Sequence, residues 1–109
     1  MELYQELQQK THELDVSIKA LRKTGTEYAQ AERAYKVKLR EECLKLRDQG
    51  MPVTLIDKIC YGIPSVAELR FKRDNAEVVH KANLEAINSY KLQMRLIEAQ
   101  ISREWGASV

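Results

Sequence analysis

One spacing constrains this chain more than any other feature. From residue 4 to residue 46 an alternating step of three and four positions runs Tyr4, Leu7, Thr11, Leu14, Ile18, Leu21, Gly25, Tyr28, Glu32, Tyr35, Leu39, Glu42, Leu46. That heptad seam is the signature of helices packed side by side. A second seam runs Val66, Leu69, Arg73, Ala76, His80, Asn83, Ile87, Tyr90, Met94, Ile97, Ile101. Ala31, Ala34, Val37 and Cys43 widen the first seam, and Val79, Ala82, Ala86 and Trp105 widen the second. Faces that broad suit a bundle better than a two-stranded coil. No strand pattern, low-complexity run or internal repeat interrupts them.

Between the seams lies "GMPVTLIDKICYGIPSVAELR", Gly50 to Arg70, with both prolines and two of the four glycines. The first helix is expected over about 3–48, with Gly50 in the left-handed position after its end and Pro52 just beyond. Thr54 is expected to cap a short corner helix over about 54–61, ending at Gly62. Ser65 and Glu68 form a capping-box pattern after Pro64, opening a last helix over about 66–105. The closing "GASV" reads as a short polar tail. Gly25 in "KTGTE" costs roughly 1 kcal/mol against Ala inside a helix. The seam keeps its phase through it, which predicts one continuous helix with a soft spot.

These elements predict an all-α fold: one domain over 1–109, a long antiparallel, coiled-coil-like hairpin with a short helix at its corner. Centring the reversal near residue 57 sets Gly25 opposite Tyr90, Tyr35 opposite His80, Glu32 opposite Asn83, and Glu42 opposite Arg73. Glu32, Tyr35, Glu42, Arg73, His80 and Asn83 then form a structural polar layer that fixes register. A two-helix hairpin has little interior for 109 residues, so pairing of two copies into a four-helix arrangement is expected.

The net charge of +2 gives no overall pull on nucleic acid. Its distribution is uneven: residues 33–73 hold ten Lys/Arg against five Asp/Glu, and the remainder holds eight against eleven. A hairpin gathers the basic set at the corner, where Lys36, Arg40, Arg47, Lys58, Arg70 and Lys72 are the candidate contacts to an acidic protein surface or to phosphates. The corner also has the cadence of a helix-turn-helix. Against that reading, Asp57 and Lys58 stand where an apolar and a small residue belong, and a forty-residue helix follows where a recognition helix is short.

Catalysis finds little support. No nucleophile–base constellation, Walker loop or G-x-G-x-x-G is present. His12 and His80 fall on different helices without a Glu-x-x-His pair, so no metal, cofactor or small-molecule substrate is expected. Cys43 and Cys60 lack metal or redox spacing and read as small buried thiols in a reducing compartment. The start, "MELYQELQQK", has no cationic segment followed by an apolar run, and no stretch nears the ~20 apolar residues that span a membrane.

The segments "LRDQGMPVTLI", "YGIPSVAELRFKRD" and "EAQISREWG" resemble a family of small uncharacterised helical proteins encoded by temperate phages and prophages of Gram-positive bacteria. The resemblance covers nearly the whole chain. It implies expression in the cytoplasm of a bacterial host, often beside phage replication or recombination genes, and it carries over no catalytic or binding residue. Together these readings lead to a non-enzymatic interaction protein. Its partner would be an unknown host or phage protein, in phage DNA metabolism or as the target of inhibition. Nucleic-acid binding through the corner and a structural assembly role are the alternatives.

Overall fold

The computed structural model describes residues 2–108, with side chains through residue 106. It is all-α: α1 spans Glu2–Asp48, α2 spans Val53–Ile59, a 3-10 turn spans Cys60–Gly62, and α3 spans Pro64–Ser108. No strand occurs among the described residues. α1 passes through Gly25 without a break. One glycine is a small cost beside the packing gained along a helix of 47 residues. α3 runs past Trp105 into the terminal segment that the sequence suggests as a tail.

The reversal begins as expected. Gly50 sits at φ 87°, the one positive φ among the described residues. The amide of Met51 donates to the carbonyl of Leu46 at 3.1 Å, and the amide of Gly50 donates to that of Arg47 at 2.9 Å. This is the paired hydrogen-bond pattern of a Schellman ending. Both later caps differ from expectation. Pro52, not Thr54, caps α2: its carbonyl accepts from the amides of Leu55 and Ile56, both at 3.0 Å. Ile63, not Ser65, caps α3, accepting from Val66 and Ala67 at 2.9 Å. Pro64 thereby takes the first helical position, where its fixed φ fits and its missing N–H costs nothing. Ser65 and Glu68 fall inside the first turns and form no capping box.

By compactness the chain falls into two units. One unit holds the described residues of Met1–Lys23 and His80–Val109, and the other holds Thr24–Val79. In the first, Ile87 and Ile97 are buried. Leu3, Leu7, Leu14, Leu21, Tyr90, Met94 and Ile101 are half-buried around them. The expected α1 seam is displaced here at every second step. Tyr4, Thr11 and Ile18 are exposed, and Leu3, Lys10 and Ser17 take the inward positions. Lys10 is tolerated because its apolar stem covers the seam while its ammonium reaches Glu13 at 3.4 Å. Ala82 and Trp105 extend outward rather than widening the buried face.

Thr24–Val79 contains the second half of α1, the corner and the start of α3. Its centre is Val66, Cys60, Ile56 and Tyr35. Ala34, Val37 and Val79 are exposed rather than part of a widened face. Glu32 meets Arg73, not Asn83, a displacement of ten residues along α3. The corner explains the shift. α2 and the 3-10 turn pack back toward α1, bringing Cys60 beside Cys43. The last turns of α1 therefore face the corner instead of α3.

Adding a Cβ at Gly50 meets no atom within 4 Å, so substitution there tests backbone conformation alone. Gly50→Ala should lower stability in urea titration by about 1–2 kcal/mol, and Gly50→Asn by less. Equal stability of the alanine variant would contradict the left-handed turn.

Candidate functional site

Within Thr24–Val79, Arg73 organises the polar interior. Its guanidinium lies 4.7 Å from the centroid of the Tyr35 ring. It contacts Glu32 at 3.4 Å and Asp74 at 2.7 Å. The Tyr28 hydroxyl donates to Glu77 at 3.3 Å. Cross-helix bonds at two levels thus fix the register, a role the sequence assigned to other pairings. Glu42 does not reach Arg73. Lys45 at 3.2 Å and Lys38 at 3.4 Å hold it on its own helix. The Lys45 hydrogen bond is the main cause that keeps its carboxyl below the usual range. Asn83 lies in the other unit, donating to the Ser17 carbonyl at 3.1 Å, and half-buried His80 belongs to that unit as well. The six residues expected as one layer are divided accordingly.

The basic residues at the corner fall into two groups. Lys36 reaches Glu32 at 3.7 Å, Lys38 reaches Glu41 at 3.8 Å, and Arg73 is bound as above. With Lys45, these are spent on the fold. Arg33, Arg40, Arg47, Lys58 and Lys72 are exposed and make no ion pair among the described residues. Arg70 is exposed and lies 5.3 Å from the centroid of the Tyr61 ring. Five of the six candidate contacts, all but Lys36, thus point no salt bridge inward.

Four apolar side chains of the corner are exposed as well, and the sequence reading made no assignment for them. Val53 is 56% exposed, Leu55 43%, Ile59 39% and Tyr61 45%. A helix of seven residues cannot turn all its apolar groups inward. Ile56 takes the buried position and its neighbours remain outside. The spacing of "VTLIDKI" gave no signal of this, since 55, 56 and 59 fall within about 100° of one another on a helix.

Cys43 and Cys60 are free thiols on facing elements. Burial, then the neighbouring Cys60 thiol, pushes the Cys43 thiol above its ordinary range. Among the described residues, no group of three or more His, Cys, Asp or Glu is placed to hold a metal. No helix among them is long and apolar enough to cross a membrane. No family model matches the chain, and neither does any curated protein or solved structure.

Two predictions follow from these environments. Burial, followed by the carboxylates of Glu32 and Glu77, raises the Tyr28 pKa. A raised folded-state pKa adds stability that is complete below the unfolded value of about 10 and is lost as pH climbs through the folded one. An absorbance titration at alkaline pH should show one late tyrosine, and Tyr28→Phe should remove that step. A variant that leaves the profile unchanged contradicts the Tyr28–Glu77 contact. Separately, Cys43 should alkylate more slowly with iodoacetamide at pH 8 than a free cysteine, and as fast once urea unfolds the chain. Equal rates in the folded protein would contradict the corner packing.

Proposed function

We propose that this is a non-enzymatic helical interaction protein that binds another protein through its corner. The observation that carries the reading is the group Val53, Leu55, Ile59 and Tyr61, exposed on the corner with Lys58 and Arg70, which make no ion pair among the described residues. Aromatic and apolar groups with arginine at hand are the composition of a protein-binding patch. Burying them against a partner recovers roughly 25 cal/mol per Å² of apolar surface. On the resemblance of "YGIPSVAELRFKRD", the partner is a host or phage protein met in the bacterial cytoplasm, in phage DNA metabolism or as the target of inhibition.

Pairing of two copies into a four-helix arrangement belongs to the same proposal. Sixteen large apolar side chains are exposed and six are buried among the described residues, an excess that a second copy would reduce. Nucleic-acid binding is the second reading, favoured by the six corner cations that make no ion pair among the described residues. A phosphate backbone gives Leu55 and Ile59 nothing to bury against, which ranks it below.

The test is capture from extracts of infected host cells with and without nuclease. Wild-type protein should retain a partner after nuclease treatment. Leu55→Asp with Ile59→Asp should lose it by at least about tenfold, with circular dichroism checking that the variant keeps its helices. Retention of nucleic acid alone, abolished by nuclease, would replace this reading with the second. A partner held equally by the double variant would remove the corner from the interface.

A further inference from the structure

The outward side of α1 within Thr24–Val79 carries Arg33, Val37, Arg40, Leu44 and Arg47, spaced four, three, four and three. Such steps put all five on one stripe of the helix. The stripe lies two residues, about 200° of helix, from the inward row of Tyr35, Leu39, Glu42 and Leu46. All five stripe residues are exposed, with Val37 at 53% and Leu44 at 49%. Among the described residues nothing is laid against this second seam.

Charge on this stretch of α1 is sorted by residue type. Lys36, Lys38 and Lys45 each pair with a glutamate of the same helix. Arg33, Arg40 and Arg47 pair with none among the described residues. Glu41, adjacent to Arg40, is held by Lys38 at 3.8 Å. Arginine is the cation suited to desolvated, two-pronged pairing with carboxylates.

Three occupants can be compared on these terms. A second copy docked by the same stripe, antiparallel about Arg40, sets Arg33 against Arg47 and Arg40 against itself. Parallel docking in register sets each arginine against its own copy. Shifted registers press the cations onto Val37 or Leu44 with no counter-charge. A nucleic-acid backbone answers the arginines but leaves Val37 and Leu44 against phosphates. A membrane-surface helix separates its cations from its apolar face, whereas here the two alternate along one line. A helix with apolar residues in step with Val37 and Leu44, and Glu or Asp in step with the arginines, answers every position.

We propose that the Arg33–Val37–Arg40–Leu44–Arg47 face of α1 is a docking seam for an acidic amphipathic helix of a partner protein. The proposal rests on the protein-binding reading above and specifies the chemistry of one partner element.

Two fluorescent synthetic helices of about three heptads serve as probes. One carries Leu in heptad register flanked by Glu, and the other replaces each Glu with Lys. Anisotropy with the full chain should show the Glu helix binding at least about tenfold tighter than the Lys helix, and weakening as salt rises. Arg33→Glu, Arg40→Glu and Arg47→Glu together should reverse that preference. Leu44→Ser should weaken the Glu helix without reversing it. Circular dichroism checks the fold, and the triple Arg→Gln variant, expected to abolish the preference, replaces the Glu variant if that one unfolds. Equal affinity for both helices would overturn the proposal, as would a preference that survives the triple substitution. So would tighter binding to a DNA duplex or to anionic phosphatidylserine vesicles that the triple variant loses, or a dimer in sedimentation that it dissociates. If the natural partner is lost from the Leu55/Ile59 variant but kept by the triple arginine variant, this seam fails while the wider reading stands.

Discussion

Arg73 is the residue on which the arrangement of Thr24–Val79 depends. It stacks on the buried Tyr35 ring and reaches Glu32 across the helix pair. Its side chain is 18% exposed, so the cation is largely out of water and its partners matter more than those of a surface lysine. With Tyr28 and Glu77 one level away, it sets which turn of α3 meets which turn of α1. That register leaves the end of α1 to the corner, where Cys43 meets Cys60 and where Ile56 and Val66 are buried.

A helix packed against one other helix buries one stripe and shows the rest. This explains the coexistence of a well-defined seam with many exposed apolar groups. On α3 every expected seam position from Val66 to Ile101 is buried or half-buried. Val37, Val79 and Ala82, expected to widen the faces, are exposed. Such side chains either cost solubility or meet a partner, and the corner residues belong to the second case on the proposal made here.

Periodicity made the two long helices and the corner legible, and glycine chemistry marked the reversal at Gly50. The caps were harder to read. Thr54 and Ser65 are good capping residues, but Pro52 and Ile63 already present the carbonyls, two residues earlier. The register was the largest miss. A heptad pattern looks alike after each repeat, so spacing fixes the seam and leaves the pairing open. Contacts such as Arg73 with Glu32 and Tyr28 with Glu77 show which pairing is taken. The basic tip was legible as composition. Its division into lysines used by the fold and arginines left outside was not, because that depends on which glutamates lie one turn away. The spacing of Arg33, Arg40 and Arg47 is visible in the sequence, but spacing alone does not say which of two stripes faces inward.

On the proposal of a protein-binding corner, the surface left uncovered there is where the partner sits. Amide hydrogen exchange, compared between the free chain and its captured complex, tests this directly. Binding should slow exchange in α2, the 3-10 turn and the Arg33–Arg47 stretch of α1, and leave the region from Ile87 to Ile101 unchanged. Protection confined to Ile87–Ile101, with the corner exchanging as in the free chain, would contradict it.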